Sequence, residues 1–342
     1  MKILKSEISN KLKALKSFTG KTDKLTVTEG VLISNGMAIA TNLELTITMP
    51  IDTDEEFIIP PKAIAMINSL PDGMIEILEK NGKIIVKADN ATSRFTTSDV
   101  SEFPKVAINK GEKLTTIDYN EFSQLVNDVM YAVADTPDVA VHGGVSFYCD
   151  GNNLNVAATD GMRIAWTKTA YKDNVDFVIP KSTLKSLLSL GDMGDISIGM
   201  SGNKAVFSND NFTVYTSVLM GEFFNYKSVF DSVNGEVIKT DSKALISALQ
   251  RAMICADNRP VRLTIESNEL NIELMSDVSE YSERININST VNMVIGVNPK
   301  LLVECLKSYD GAVSITVSSP IKPIMIEKDE QKALIMPVRL KD

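Results

Sequence analysis

Few residues in this chain are of the types that perform chemistry, and none lies in a recognisable catalytic pattern. His142 is the only histidine, so a metal site built from two or three histidines is excluded. Asp160 could act as a general base, but the Asp-Gly pair that it forms with Gly161 is first a turn signal. The acidic stretch 52–56 could bind a hard cation, yet adjacent side chains in a turn point apart. No phosphate-binding, nucleophile-elbow or zinc-protease motif occurs. The sequence therefore predicts a non-enzyme without metal or cofactor.

The cysteines and the apolar runs indicate the compartment. Cys149, Cys255 and Cys305 are an odd number, far apart and without CxxC spacing, which fits a reduced cytoplasm better than a disulfide framework or a zinc site. No apolar run approaches the ~18 residues of a membrane span. The first sixteen residues lack the continuous apolar core of a signal peptide. We therefore expect a cytoplasmic protein with no membrane association.

The composition is that of a globular protein, with 342 residues, 44% hydrophobic and 23% charged. The net charge of -9 argues against a protein that coats nucleic acid over its whole surface. It leaves room for a local basic lining on an acidic body, because binding follows the local field.

One sequence pattern occurs three times along the chain. Each copy has an apolar strand end, a proline in the first helical turn, a lysine, an amphipathic helix and a polar turn. The three stretches are 58–73, 178–192 and 297–311. The lysines after the proline are Lys62, Lys181 and Lys300, and each is 119 residues from the next. Equal spacing twice predicts three tandem copies of one domain rather than a chance match.

Other sequence features recur at nearly the same spacing as the lysines. The sequence Ala-Thr-Asn-Leu at 40–43 is answered by Ala-Thr-Asp-Gly at 158–161, and an amphipathic helix opens each copy. Alternating apolar residues between the helices, broken by Gly or Asn turns, predict antiparallel hairpins with one buried face. We predict an α+β fold with two helices on antiparallel sheets in each copy. The predicted opening helices are 6–18, 118–134 and 241–256, and the predicted domains are 1–113, 114–235 and 236–342.

Positive charge recurs on the predicted helices. A lysine follows the helix-starting proline in all three copies, and the first helices of the outer copies carry more. The acidic opening helix of the middle copy, DYNEFSQLVNDV, breaks this rule. Surface lysines often serve solubility alone, but recurrence at one position favours a shared basic lining.

Four motifs carry a resemblance to a known family. They are ATDGMRIAW at 158–166, VIPK at 178–181, GEFFNY ending at Tyr226, and IMPVRL at 335–340. The chain resembles the bacterial DNA polymerase III beta sliding clamp over its whole length. The resemblance implies a head-to-tail homodimer, whose six domains form a ring with helices around a hole for duplex DNA and sheets outside. It implies a non-catalytic processivity factor that binds DNA independently of sequence.

The resemblance also implies a groove that takes a short apolar peptide from the replicative polymerase, the clamp loader or other proteins with a clamp-binding motif. The matching groove positions are His142, Thr159, Gly161, Met162, Arg163, Ile164, Phe224, Val229, Asn298, Ile321, Pro323, Leu334, Ile335, Met336, Pro337, Val338, Arg339 and Leu340. The positions expected to face DNA are Lys21, Lys62, Lys181, Lys185, Lys227, Arg259, Arg262 and Lys300. The positions expected at the dimer interface are Phe103, Ile254 and Cys255.

Two other interpretations stay open on the sequence alone. A three-domain protein that sequesters a partner without touching DNA would share the repeats and the absence of catalytic residues. Such a protein could be a monomer, whereas a clamp must be a dimer. A hydrolase with an unrecognised site would depend on Asp160 and His142.

Overall fold

The structure is a computed structural model, and it describes residues 1–20, 25–105, 111–192, 194–255, 259–276 and 278–340. One predicted DNA-facing residue, Lys21, lies outside these ranges. Within them the fold combines seven α-helices and twenty-four strands. None of the helices in the described ranges has both the length and the apolar content needed to cross a membrane.

Three pairs of helices follow the predicted repeat, with one extra short helix. The helices are α1 (Lys5–Leu15), α2 (Pro61–Ser69), α3 (Tyr119–Met130), α4 (Lys181–Leu188), α5 (Tyr226–Asp231), α6 (Ser242–Cys255) and α7 (Pro299–Leu306). Helices α1, α3 and α6 are the predicted opening helices, and α2, α4 and α7 are the predicted second helices. Proline at the first turn starts α2 and α7 without the loss of a hydrogen bond. The sequence did not predict α5.

The strands are short and follow one another in hairpins. In the first third of the chain they are β1 (Lys2–Leu4), β2 (Val31–Ser34), β3 (Met37–Thr41), β4 (Leu45–Pro50), β5 (Phe57–Ile59), β6 (Met74–Glu79), β7 (Lys83–Ala88) and β8 (Ala91–Thr96). In the middle they are β9 (Glu112–Ile117), β10 (Gly144–Cys149), β11 (Asn153–Thr159), β12 (Arg163–Ala170), β13 (Asp176–Pro180), β14 (Ile196–Ser201), β15 (Lys204–Ser208) and β16 (Thr213–Ser217). In the last third they are β17 (Glu236–Asp241), β18 (Val261–Glu266), β19 (Glu269–Met275), β20 (Glu280–Asn286), β21 (Met293–Val297), β22 (Ala312–Val317), β23 (Ile324–Lys328) and β24 (Gln331–Ile335).

The chain divides into two compact units, and the middle copy contributes to both. Unit 1 contains residues 1–122 and 182–218, and unit 2 contains residues 123–181 and 219–342. Unit 1 holds a four-stranded sheet, β1-β6-β7-β8, and an eight-stranded sheet, β5-β2-β3-β4-β16-β15-β14-β9. Its eight-stranded sheet joins strands of two copies at the β4–β16 pair, where Thr48 lies opposite Thr213.

Unit 2 has the same plan. Its eight-stranded sheet runs β13-β10-β11-β12-β24-β23-β22-β17, and its four-stranded sheet runs β20-β19-β18-β21. The eight-stranded sheet joins two copies at the β12–β24 pair, where Ile164 lies opposite Leu334. All the named strand pairs of both units are antiparallel, so the α+β prediction with antiparallel sheets is confirmed.

Each sheet buries one face under helices. In unit 2, Leu245 and Leu249 of α6 pack with Leu263 of β18 and Leu302 of α7 in one large apolar cluster. The alternation predicted from sequence is visible in β20, where half-buried and exposed residues alternate strictly. Burial of these aliphatic side chains, at about 25 cal/mol per Å² of apolar surface, is the main stabilising term.

The repeat extends to the hydrogen bonds of single hairpin tips. In unit 2, the Thr159 hydroxyl accepts from Gly161 N (3.1 Å), and the Asp160 carboxylate accepts from Arg163 N (3.0 Å). In unit 1, the Thr41 hydroxyl accepts from Leu43 N (3.1 Å), and the Asn42 amide oxygen accepts from Leu45 N (2.8 Å). The two tips are therefore one motif, and Asn42 serves as well as Asp160 because only a side-chain oxygen is needed.

The tips differ in backbone strain, which gives a stability prediction. The shared geometry requires a positive φ, which is 85° at Gly161 and 79° at Leu43. A left-handed conformation costs a residue with a side chain about 1–2 kcal/mol. Glycine avoids this cost, but it loses more conformational entropy on folding, which cancels part of the gain. Since Leu43 is 56% exposed and buries little surface, we expect Leu43→Gly to stabilise the protein by about 0.5–1 kcal/mol. The reverse change at the matched position, Gly161→Leu, should destabilise it by about 1–2 kcal/mol. Urea unfolding of both variants checks this, and a less stable Leu43→Gly protein would contradict it.

Candidate functional site

The β11–β12 tip of unit 2 is fixed by one buried arginine. Arg163 is 7% exposed, and its Nε donates to Asp160 Oδ2 at 2.9 Å. Its Nη2 donates to the Tyr131 carbonyl at 2.6 Å, and its guanidinium lies 5.3 Å from the centre of the Tyr131 ring. Its Nη1 is 2.7 Å from Glu304 Oε2 on α7, in an ion pair that lacks hydrogen-bond alignment. Arg163 therefore ties the tip to the end of α3 and to α7.

An open apolar groove of about 340 Å³ lies beside this tip. The walls combine the β11–β12 tip, Phe224 of the GEFFNY segment, α5 and the end of β24. Its lining residues are His142, Thr159, Gly161, Met162, Arg163, Ile164, Phe224, Val229, Pro323, Leu334 and Met336. All eleven are positions that the sequence assigned to a peptide groove. Met162, Phe224 and Met336 keep 49%, 36% and 39% of their surface exposed, so apolar area is open to a ligand.

The other predicted groove positions lie around the groove but outside its lining. Asn298 caps α7, since its side chain accepts from Lys300 N at 3.0 Å. Ile335 is fully buried in the apolar cluster of unit 2. Val338 N donates to the Gly296 carbonyl at 2.8 Å, which fixes the course of the last residues. Ile321 is 74% exposed. The remaining positions, Pro337, Arg339 and Leu340, follow β24 in this last segment.

An aromatic cluster behind the groove was not predicted as part of the site. Trp166, the only tryptophan, lies 5.3 Å from Phe230 and 5.8 Å from Tyr226 between ring centres. Its indole N–H donates to the Asn155 amide oxygen at 3.2 Å. These rings place α5, and hence Val229, against β12. The signal in the sequence was the i,i+4 spacing of Tyr226 and Phe230, a single pair that is too short to predict a helix by itself.

The equivalent tip of unit 1 borders a larger cavity of about 590 Å³. By the alignment of the two tips and of helices α4 and α7, Leu45 corresponds to Arg163 and Lys185 corresponds to Glu304. This pair of residues cannot form the ion pair that Arg163 and Glu304 form in unit 2. Hydroxyl and amide side chains make up much of the lining, which includes Ser17, Thr19, Thr28, Asn42, Ser182 and Ser186. No residue of this cavity except Lys185 was predicted as functional.

Three predicted DNA-facing lysines are exposed on the second helices, two of them in the first turn and Lys185 in the last turn of α4. Lys62 on α2, Lys185 on α4 and Lys300 on α7 are exposed, and none of them forms an ion pair with another described residue. They belong to different copies but to the same helix of each. The predicted shared lining is thus structurally feasible at these three positions.

The other predicted DNA-facing residues lie in different settings. Lys181 is 2.8 Å from Asp135 and also donates to the Val133 carbonyl, so its charge is partnered within unit 2. Lys227 is 2.8 Å from Asp150, and this contact holds the pKa of the Asp150 carboxyl well below its usual range. Arg262 lies on β18 on the face away from α6, because its neighbours Val261 and Leu263 are the buried ones. Arg259 is exposed in the segment just before β18.

The predicted interface residues differ in exposure. Phe103 is 5% exposed and packs in unit 1 against Val27 and Ile58. Ile254, at the end of α6, is 83% exposed, and Cys255 beside it is half-buried. Of these three residues, only Ile254 exposes a large apolar side chain to a second molecule.

Each four-stranded sheet ends, on the side where the eight-stranded sheets continue into a second copy, in a strand that has no further partner among the described residues. β20 pairs only with β19, and β8 pairs only with β7. Their exposed side chains alternate with half-buried ones, as on a sheet that is covered on one face. An unpaired edge is a template for another strand.

A buried carboxylic acid at the end of α3 gives a pH-dependent prediction. Burial raises the pKa of Asp128 to about 6, although Gln124 Nε2 donates to its carboxylate at 2.6 Å. An unfolded Asp titrates near 4, so the folded state binds the extra proton between about pH 4 and 6 and loses stability as pH rises through this window. Asp128→Asn keeps an acceptor for Gln124 and removes the charge. We expect it to gain stability relative to the unchanged protein at pH 7.5 and to gain less at pH 4.5, in urea unfolding at both values. An equal effect at both pH values would contradict the assignment.

No catalytic arrangement surrounds Asp160 or the cysteines among the described residues. The Asp160 carboxylate is occupied by Arg163 and by the backbone of the tip. Burial raises the pKa of Cys305 to about 12, so its thiol stays neutral and unreactive at pH 7. Within the described ranges, no group of three or more His, Cys, Asp or Glu side chains is placed to hold a metal.

Comparison with known proteins places this fold among the DNA replication clamps and gives the family. The chain matches the DNA polymerase III beta subunit central domain over residues 116–225 and the C-terminal domain over residues 227–339. It is 26% identical to the beta sliding clamp of Streptomyces coelicolor, over 91% of this chain and 89% of that protein. It is 23% identical to the beta sliding clamp of Pseudomonas putida, over 88% of each chain.

Solved structures agree with the fold. The DNA polymerase III beta subunit of Thermotoga maritima superposes with a TM-score of 0.91 at 21% identity, covering 99% of each chain. The sliding clamp of Pseudomonas aeruginosa bound to griselimycin gives a TM-score of 0.92 at 20% identity, again over 99% of each chain. The chain belongs to the DNA polymerase III beta subunit family, the beta sliding clamps, and has their three-domain α+β fold.

Proposed function

We propose that this sliding clamp acts as a head-to-tail homodimer, a ring that encircles duplex DNA and tethers the replicative polymerase to it. The observation that carries the proposal is the pair of incomplete sheets. Each eight-stranded sheet joins four strands of one copy to four strands of the next. The two remaining sheets have four strands each, and they belong to the first and last copies.

Internal equivalence identifies the edges that would complete the third junction. The joined edges are β4–β16 and β12–β24. β20 is the counterpart of β12, because each is the last of three consecutive antiparallel strands, β18-β19-β20 in the third copy and β10-β11-β12 in the second. β8 is the counterpart of β16, because each is the last strand of its sheet half. Antiparallel pairing of β20 with β8 of a second molecule would give an eight-stranded sheet. The same pairing between β8 of the first molecule and β20 of the second would close a ring.

An apolar contact supports the same junction. Tyr131 and Ile254 occupy equivalent positions in their copies. Each lies the same number of residues after the Asp that precedes the opening helix, Asp118 before α3 and Asp241 before α6. Tyr131 packs into the core of the next copy, and its hydroxyl lies 3.3 Å from the Cys305 sulfur on α7. Ile254 has no such neighbour and is 83% exposed. In the dimer it would pack on α2 of the partner, the counterpart of α7.

The helices supply the DNA-facing surface in this proposal. Lys62, Lys185 and Lys300 provide one free cation per copy, which is six in a dimer. Weak phosphate contacts of this kind allow sliding, since strong or base-specific contacts would hold the ring in place. The other cationic positions, including Arg259, remain candidates from the family resemblance.

The groove of unit 2 would take the partner peptide. Its apolar lining and exposed Met162, Phe224 and Met336 suit a short segment with leucine and phenylalanine anchors, and methionine adapts to different ligands. The polymerase, the clamp loader and other proteins with such a segment would compete for it. A clamp of this fold, that of Pseudomonas aeruginosa, binds the ligand griselimycin.

The domain boundaries and compartment complete the proposal. We place three domains at 1–113, 114–235 and 236–342, close to the family matches that begin at 116 and 227. The role in replication implies the bacterial cytoplasm. As a member of this family the protein is a processivity subunit and has no catalytic activity of its own.

The mass in solution tests the proposal directly. A dimer should elute with a mass about twice the 37.4 kDa of the chain in light scattering at micromolar concentration. A monomer at that concentration would favour the alternative, a sequestering protein that does not encircle DNA.

A further inference from the structure

The groove offers a docked peptide few polar atoms. Five lining residues already use side-chain or backbone polar groups in hydrogen bonds or ion pairs within the fold. Thr159 donates to the Arg163 carbonyl at 2.7 Å and accepts from Gly161, and it is 2% exposed. All three nitrogens of the Arg163 guanidinium face internal partners. The Met162 carbonyl accepts from Met336 N at 2.9 Å.

His142 is the exception. It is half-buried, and its ring nitrogens make no hydrogen bond to any described residue. Its backbone is fixed at both ends, because its N–H donates to the Val139 carbonyl and its carbonyl accepts from Ala134 N, each at 2.9 Å. Its ring meets Phe224 edge-on, with 6.5 Å between ring centres. The imidazole is therefore a held donor beside an apolar anchor site.

The charges of the lining favour one kind of ligand. None of the eleven lining residues is acidic, whereas two, Arg163 and His142, are basic. The nearest carboxylate on the tip, Asp160, is paired with Arg163. An acidic side chain would thus enter the groove of this otherwise acidic protein without meeting an unpaired like charge.

We propose that His142 is a specificity-determining residue of the groove, which donates a hydrogen bond to a carboxylate of the docked peptide next to the anchor that contacts Phe224. The inference rests on the proposed peptide-binding function. It assigns to His142 the preference for an Asp or Glu between the apolar anchors, and to the remaining lining only the apolar affinity.

A double-mutant cycle tests the assignment. Two synthetic peptides share leucine and phenylalanine anchors and carry either Asp or Ala between them. Their affinities for the unchanged protein and for His142→Leu are measured by calorimetry. Leucine keeps the volume and removes the donor. We expect His142→Leu to weaken the Asp peptide by about 10- to 100-fold, the range of one hydrogen bond to a charged acceptor. The Ala peptide should change by less than about 2-fold, which also shows that the variant is folded.

The outcomes separate the inference from the groove itself. Equal weakening of both peptides, or no weakening of either, overturns the role of His142 while the groove function stands. If neither peptide binds the unchanged protein at millimolar concentration, the peptide-binding function fails, and the inference fails with it.

Discussion

The substitution Ser282→Pro should convert the dimer into monomers of 37.4 kDa. Ser282 lies in the middle of the free strand β20, opposite Glu273 of β19. In this hairpin the bonded pairs include Ser276 with Ser279 and Asn268 with Ile287. Bonded and non-bonded pairs alternate in an antiparallel ladder, so the Ser282 N–H points away from β19 toward the open edge.

A proline at this position removes a backbone donor only from the proposed junction. It also removes the hydroxyl that donates to the Asn271 amide oxygen at 3.0 Å, a loss that the alanine control shares. Proline is tolerated on an edge strand where its nitrogen faces solvent, so β19 and β20 should stay paired. Against an incoming strand, the missing donor and the clash of the ring cost on the order of 3 kcal/mol at each of the two junctions of the ring. The dimer should therefore be weakened by about 10,000-fold. The matched control is Ser282→Ala, which keeps the N–H and should remain a dimer. Light scattering with circular dichroism distinguishes monomer from unfolded chain, and a dimeric, folded Ser282→Pro protein would contradict the β20–β8 junction.

Reversal of three charges on the second helices should abolish stable association with DNA. The variant carries Lys62→Glu, Lys185→Glu and Lys300→Glu, one per copy, and therefore six reversals in a ring. Each lost phosphate contact reduces the salt slope of DNA binding by about 0.9, and each reversed charge adds repulsion. We expect loading onto circular DNA to fall by about 100-fold or more at physiological salt, with folding and dimer mass unchanged.

The control for this variant reverses three lysines elsewhere. Lys80, Lys83 and Lys239 are exposed on strands or turns, and the last two point away from the buried faces of their strands. The control changes net charge by the same amount, so it separates a local lining from general repulsion. Equal loss of loading by both variants would show that the helix lysines have no special position.

The repeat was the part of the structure that the sequence predicted best. Three helix pairs and antiparallel hairpins follow from proline-lysine helix starts, period-2 alternation and matching tips such as 40–43 and 158–161. These are local signals, and local periodicity survives in a single sequence. The unpredicted helix α5 is only six residues long, too short for a periodic pattern to be visible.

The sharing of sheets between copies was not predictable in the same way. Pairing of β4 with β16 and of β12 with β24 joins strands far apart in sequence, and nothing in either strand alone specifies its partner. The middle copy therefore divides between two compact units, although its sequence reads as one domain.

Side-chain partners also lay beyond the sequence. A motif could indicate Arg163 and Thr159 at the groove, but their hydrogen bonds turn inward and leave His142 as the open donor. Lys181 matched Lys62 and Lys300 by spacing, yet Asp135 neutralises it at 2.8 Å. Sequence spacing predicts where a lysine lies on a helix, whereas the carboxylate that pairs with it lies on another part of the chain.

Retention on DNA of different topology is the most direct test of a ring that surrounds the double helix. The protein is loaded onto a nicked circle by its clamp loader, free protein is removed, and half of the sample is cut once with a restriction enzyme. An encircling clamp should stay on the closed contour and leave the linear molecules within minutes by sliding off their ends. Equal retention on circular and linear DNA, or equal loss from both, would contradict encirclement.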